Sequence, residues 1–201
     1  MSSEDAGYLT APTRKQVEDY QQQPFMSDLA RRGDIEGLQR ALEAGRGMDA
    51  SNKFGESVVH IACRRGNMDV LQFLVANGGS LTACDDLGRF PLHEVCWAAQ
   101  PRFDIVRVFL EEERRTKSRR RAAAAATASA SASAGSDTNG GGSAPTGGSS
   151  DAHGAGDLNM LLVTDKRGCS PLRYVKEGSW PQWRRFLDEV VDEYWPSLSP
   201  A

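Results

Sequence analysis

Apolar residues recur along the chain at helical spacing, in short blocks separated by glycine. One block carries Val58, Val59, Ile61 and Ala62, stops at Gly66, resumes with Val70, Leu71, Phe73 and Leu74, and stops again at Gly78. Apolar positions three and four residues apart put one stripe on a helix face, and a glycine after the stripe favours a left-handed helix end. The pattern predicts a short helix, a sharp stop and a second antiparallel helix. Two other starts have capping-box spacing. Thr13-Arg14-Lys15-Gln16 predicts a leading helix to about Gln22, and Ser179-Trp180-Pro181-Gln182 predicts a final helix with proline in its first turn.

The blocks are copies of one another. "NKFGESVVHIACRRGNMDVLQFLVANGGSLTAC" begins at Asn52, and "DDLGRFPLHEVCWAAQPRFDIVRVFLEEE" begins at Asp85, an offset of 33 residues. That offset pairs Gly55 with Gly88, Val59 with Leu92, His60 with His93, and Cys63 with Cys96. After Trp97 the second copy gains two residues, so Val70 pairs with Ile105. Upstream, "MSDLARRGDIEGLQRALEAGRGMDAS" fits the same frame, with Ala30 matching Cys63 and Gly33 matching Gly66. Downstream, "DKRGCSPLRYVKEGSWPQWRRFLDEVVDEYW" restarts it at Asp165. Gly55, Gly88 and Gly168 stand where a tight turn requires positive φ. Pro91 and Pro171 suit a first helical turn, whose N–H has no partner anyway. No single pair of helices can bury its stripe, whereas stacked neighbours can.

With these motifs the chain resembles the ankyrin-repeat family, in which a D-x-x-G turn precedes T-P-L-H-x-A at a period of about 33. The matching stretches are "NKFGESVVHIA", "DDLGRFPLHEV" and "DKRGCSPLRYV"; Pro91, Leu92 and His93 complete the core of the motif, while the last copy has Pro171 and Leu172 but Arg173 in place of His. The resemblance implies an all-α helix-turn-helix solenoid of about four repeats with short hairpin turns. The expected layout is a tail and leading helix over 1–18, repeats over 19–51, 52–84 and 85–113, an insertion over 114–157, a closing repeat over 158–195 and a tail over 196–201. The insertion turns to Ala, Ser, Gly and Thr from about Thr116, and such a composition cannot bury enough surface to offset its ordering entropy. It is expected to be disordered, with transient helix in the alanine run, and loop-closure entropy lets the stack tolerate it.

Formal charge is −3, which exerts no global pull toward nucleic acid. There is no apolar leader at the start and no run of the roughly 18 apolar residues that a membrane span needs. Cys63, Cys84, Cys96 and Cys169 form no C-x-x-C pair, and the expectation is reduced thiols in a cytoplasmic or nuclear protein. His93, Glu94 and Cys96 crowd four residues and raise the question of a ligand or catalytic cluster. His60 and Cys63 repeat that spacing one period earlier. A structural part therefore fits better: the rings bonded to neighbouring turns, and the thiols buried at small-residue packing positions. Glu94, at a position normally apolar, is expected to be half exposed or salt-bridged. No catalytic residue, cofactor or metal site is expected, and a thiol or metal enzyme built on His93 and Cys96 is the weakest of three function classes.

The leading class is a non-enzymatic adaptor or scaffold that binds a segment of another protein, acidic or phosphorylated, on its concave face. The frame selects Arg31, Arg32, Arg64, Arg65 and Trp97 at the inner-helix ends, and Lys53, Phe54, Asp86, Leu87, Lys166 and Arg167 at the hairpin tips. The alternative is a nuclear or nucleic-acid-associated regulator. Its feature is the basic run of Arg114, Arg115, Lys117, Arg119, Arg120 and Arg121, which reads as an import signal or phosphate patch.

Overall fold

The computed structural model describes residues 1–5, 7, 11–133 and 159–195. Helix α1 (Arg14–Gln21) leads, followed by the pairs α2 (Met26–Arg32) and α3 (Ile35–Glu43), α4 (Val58–Arg65) and α5 (Met68–Ala76), and α6 (Pro91–Trp97) and α7 (Phe103–Ser133). The last layer is a 3₁₀ turn, Pro171–Tyr174, with α8 (Trp180–Tyr194). No β-strand forms among the described residues, which hold only isolated bridges at Ser2–Thr164 and Ser51–Ser57. The inner elements α2, α4, α6 and the 3₁₀ turn stack in sequence order, and α1 covers the open end at α2.

Each local start and stop has its residue. Thr13 and Gln16 close the capping box of α1, which runs past the expected 18/19 boundary. Asp34 and Asn67 accept the Gly37 and Val70 amides and so start the outer helices α3 and α5. Gly33 and Gly66 end α2 and α4 at φ of 73° and 64°. The apolar stripes then merge into one seam. Leu38, Ile61, Leu71, Leu74, Phe90, Leu92 and Phe109 are all buried, and Phe73 is half-buried beside them. Each such side chain contributes about 1.5–3 kcal/mol on leaving water.

Three elements depart from the sequence-based expectation. The insertion expected over 114–157 does not start at Arg114, because α7 continues unbroken through the basic run to Ser133, roughly 46 Å at 1.5 Å per residue. Glu111, Glu112 and Glu113 pair with basic residues three to seven positions on, and alanine, the best helix former, carries the helix further. The remainder of that insertion, 134–157, the first residue of the expected closing repeat, 158, and the tail 196–201 lie outside the described residues. In the last repeat the inner element is a 3₁₀ turn rather than an α-helix. Arg173 cannot make the ring bonds of His60 and His93, and Lys176, at the slot of Cys63 and Cys96, is exposed instead of packed. Finally, α8 starts as expected but without its capping box: Ser179 already has αR backbone angles as the end of a preceding 3₁₀ turn, and its side chain caps nothing.

Candidate functional site

The three hairpins share one construction. Asn52, Asp85 and Asp165 each place a side-chain oxygen so that it accepts two amides of the turn: Phe54 and Glu56 at 3.0 and 3.1 Å, Leu87 and Arg89 at 3.0 and 2.8 Å, and Arg167 and Cys169 at 2.8 and 2.9 Å. Gly55, Gly88 and Gly168 complete the turns at φ of 81°, 75° and 72°. Successive tips are tied by backbone bonds, from the Asp86 amide to the Phe54 carbonyl at 2.7 Å and from the Lys166 amide to the Leu87 carbonyl at 2.9 Å. Sequence reasoning noticed the glycines but gave no role to the three Asx side chains, whose signal was their fixed place three residues before each glycine.

The histidines bond across layers. In His60, Nδ1 accepts from the Ser57 amide and hydroxyl at 3.1 and 2.8 Å, which leaves Nε2–H to donate to the Arg89 carbonyl of the next hairpin at 3.1 Å. His93 repeats this: the Phe90 amide donates to Nδ1 at 3.2 Å, and Nε2–H reaches the Cys169 carbonyl at 3.2 Å, 76 residues away. Burial pushes both rings below the usual histidine pKa, so they are neutral at pH 7. Cys63, Cys84 and Cys96 are buried, and burial pushes all three thiols up, Cys84 to about 12. No group of three or more His, Cys, Asp or Glu among the described residues is placed to hold a metal ion.

Glu94 belongs to a charged network that ties together two layers. Its side chain is 1% exposed and takes a bidentate grip from Arg64, Nε to Oε2 at 2.8 Å and Nη2 to Oε1 at 3.0 Å. Arg64 also reaches Glu56, while Arg89 stands 3.8 Å from Glu94 and is bonded to Asp85. Burial alone raises the Glu94 carboxyl pKa. The hydrogen bonds and charge of Arg64, helped by Arg89 and His60, outweigh burial and hold the pKa below the usual carboxylate value. Arg64 is thus tied into the fold through two carboxylates while 41% of its side chain remains exposed. Arg31 pairs with Asp28 at 2.9 Å, and Arg31, Arg32 and Arg65 are all exposed.

Three large apolar side chains stand out on the selected surface: Phe54 at 53% exposure, Leu87 at 41% and Trp97 at 51%. Lys53 lies over the Phe54 ring, 5.0 Å from its centre. A cleft of about 350 Å³ runs beside Phe54, lined by Pro12, Lys53, Asp86 and Lys166 among others. Asp86, Lys166 and Arg167 are exposed at the tips. The basic run is largely compensated on its own helix. Arg114 and Arg115 pair with Glu111 at 2.9 and 3.2 Å, Lys117 with Glu113 at 2.6 Å, and Arg119 with Glu112 at 3.9 Å. Arg120 and Arg121 are exposed. Glu113 is buried and accepts the Met160 amide at 2.9 Å, so it also anchors the returning chain.

Residues 26–120 match the family model for ankyrin repeats, in three copies. These residues form ankyrin repeats. The matched span runs from the start of α2 to Arg120 within α7, and the fourth layer lies beyond it. No curated protein matches the chain. Ankyrin repeats are generally protein–protein interaction modules, and no helix among the described residues is long and apolar enough to cross a membrane.

Proposed function

We propose that this ankyrin stack is a non-enzymatic adaptor that holds a segment of a partner protein along its concave face, with Phe54, Leu87 and Trp97 as apolar anchors. What supports the reading is the exposure of these three side chains in two consecutive repeats, Phe54 in one and Leu87 and Trp97 in the next, at hairpin-tip and inner-helix-end positions of the kind solenoids use for binding. Large aromatic side chains held on rigid elements supply contact area at low entropic cost, which is why they dominate interface energies. Arg32 and Arg65 flank them with exposed positive charge, which favours an acidic segment. Arg64 contributes only indirectly, by fixing the layer that carries Trp97.

The test is proximity labelling in cells, followed by affinity measurement with each protein found. Trp97→Ala and Phe54→Ala are each expected to weaken a true partner by more than about tenfold, the effect of a lost hot spot. Arg32→Glu with Arg65→Glu is expected to lose acidic partners selectively. Arg64 is left intact so that fold and binding are not confounded. Affinity unchanged in all of these variants would remove the concave face from consideration.

A further inference from the structure

The first residues of the chain do not trail into solvent. They add to the hairpin edge of the fourth layer, with Met1 bonded to Thr164 across 163 positions. The Ser3 amide donates to the Thr164 carbonyl at 2.7 Å and the Thr164 amide donates to the Met1 carbonyl at 3.0 Å, a parallel bridge centred on Ser2. The Thr164 hydroxyl adds a third bond to the Met1 carbonyl at 3.2 Å. Ser3 is fully buried against Gly88: a Cβ on that glycine would come within 2.4 Å of the Ser3 hydroxyl, so only a glycine there leaves the slot open. The hydroxyl finds no nitrogen or oxygen partner there and lies beside the Cys84 thiol, so size sets what the slot admits more than any strong bond to serine. Glu4 then faces Lys166 at 3.6 Å, and Asp5 closes the turn by accepting the Ser2 amide and hydroxyl at 3.1 and 2.7 Å.

We propose that Thr164, Gly88 and Lys166 form a peptide-binding edge that takes an extended segment with a small residue followed by an acidic one, and that residues 1–5 occupy it as a displaceable ligand from within the chain. Backbone pairing to Thr164 supplies affinity without regard to sequence, as in strand addition to an exposed edge. The Gly88 slot sets the size of one side chain, and Lys166 sets the charge of the next. A partner segment of this form competes with residues 1–5, and its apparent affinity falls by the fraction of chains in which the edge is filled. The site shares Lys166 with the cleft beside Phe54 but uses none of the side chains of Phe54, Leu87 and Trp97, and its test does not depend on them.

The full chain is compared with its Ser3→Arg and Ser3→Ala variants. Hydrogen exchange at the Thr164 amide should be slow in the parent and in Ser3→Ala, and faster by about tenfold or more in Ser3→Arg, whose side chain cannot enter the slot. A labelled peptide of sequence MSSEDAG should bind Ser3→Arg at least about tenfold more tightly than the parent, because the edge is then vacant. Adding Lys166→Glu to Ser3→Arg should abolish that gain, and a peptide with arginine at the third position should not bind. A melting curve checks that each variant is folded. Equal Thr164 exchange in parent and Ser3→Arg, or no peptide binding by Ser3→Arg, would overturn the proposal. A loss of concave-face partners with intact peptide binding would refer to the other site.

Discussion

Replacing Arg64 by alanine leaves the Glu94 carboxylate, 1% exposed, with only Arg89 at 3.8 Å. Removing one member of a buried ion pair costs about 3–5 kcal/mol, because the remaining charge is stranded out of water. Two features lower that figure here. Arg64 is 41% exposed, so part of the attraction is already screened, and Arg89 stays in place. The expected loss at pH 7 is therefore about 2–3 kcal/mol, or roughly 4–12 °C in melting temperature at 2–4 °C per kcal/mol for a chain of this size. In a Glu94→Gln background the same arginine change removes no counterion, and about 1 kcal/mol or less is expected. The pH dependence gives an independent check. In the parent the Glu94 pKa is lowered on folding, so its contribution is present above the unfolded value and lost as pH falls through the folded one. Without Arg64 burial prevails and the folded pKa rises above the unfolded one. That penalty is fully present above the raised folded pKa, is relieved as pH falls through it, and is gone below the unfolded value. The gap between parent and Arg64→Ala must therefore narrow from pH 7 toward pH 4. Urea unfolding followed by circular dichroism, over the four members of the double-mutant cycle, measures it. A gap below about 0.5 kcal/mol at pH 7, or one that does not change with pH, would refute the assigned network.

Four other outcomes are expected. His93→Ala removes the bond to the Cys169 carbonyl and leaves buried polar groups unpaired, which should cost about 2–3 kcal/mol and speed hydrogen exchange in residues 165–175 more than in the first two repeats. Because His60 and His93 are buried below the usual histidine pKa, their stabilisation is present above about 6.5 and declines as pH falls, by up to about 1.4 kcal/mol per unit for each ring; stability curves of the two alanine variants should be correspondingly flatter between pH 6.5 and 5. Of the four thiols, only Cys169 is not buried, so a disulfide reagent should label one rapidly in the native chain and four after denaturation. Gly168→Ala meets no atom within 4 Å and should cost only the left-handed strain, about 1–2 kcal/mol, while Gly88→Ala should cost more because its methyl would also crowd Ser3 and the Lys166 amide; equal melting temperatures would contradict the crowding.

Most of the stack was legible because it is periodic. An offset of 33 aligned the glycines, and the aligned positions determined both helix ends and turns. The cross-layer bonding of His60 and His93 was legible for the same reason, since a ring that recurs at fixed period on one face meets the same kind of neighbour each time. The Glu94 network was not. It is unique to one interface, and its partner Arg64 lies 30 positions away in a neighbouring layer. A charge in an apolar slot signalled that some counterion must exist, but not which one. The continuation of α7 through the basic run was missed because composition was read before charge order. Glu111 to Glu113 followed by Arg and Lys is a helix-supporting sequence at three- and four-residue spacing. The seat of Ser2 and Ser3 left no trace in the pattern, since it is made by backbone amides and by the absence of a side chain at Gly88.

The bond from His93 to Cys169 has a further meaning for how the last repeat is attached. That repeat is joined to the third by the His93 ring, by the Leu87 carbonyl, by Glu113 holding the Met160 amide, and by the Phe103 ring stacked on Phe186 at 4.5 Å. None of these ties passes through residues 134–158. A single protease cut within that stretch would therefore give two fragments that stay together as a noncovalent complex, and the closing module can be treated as a subunit that happens to share a chain with its neighbours.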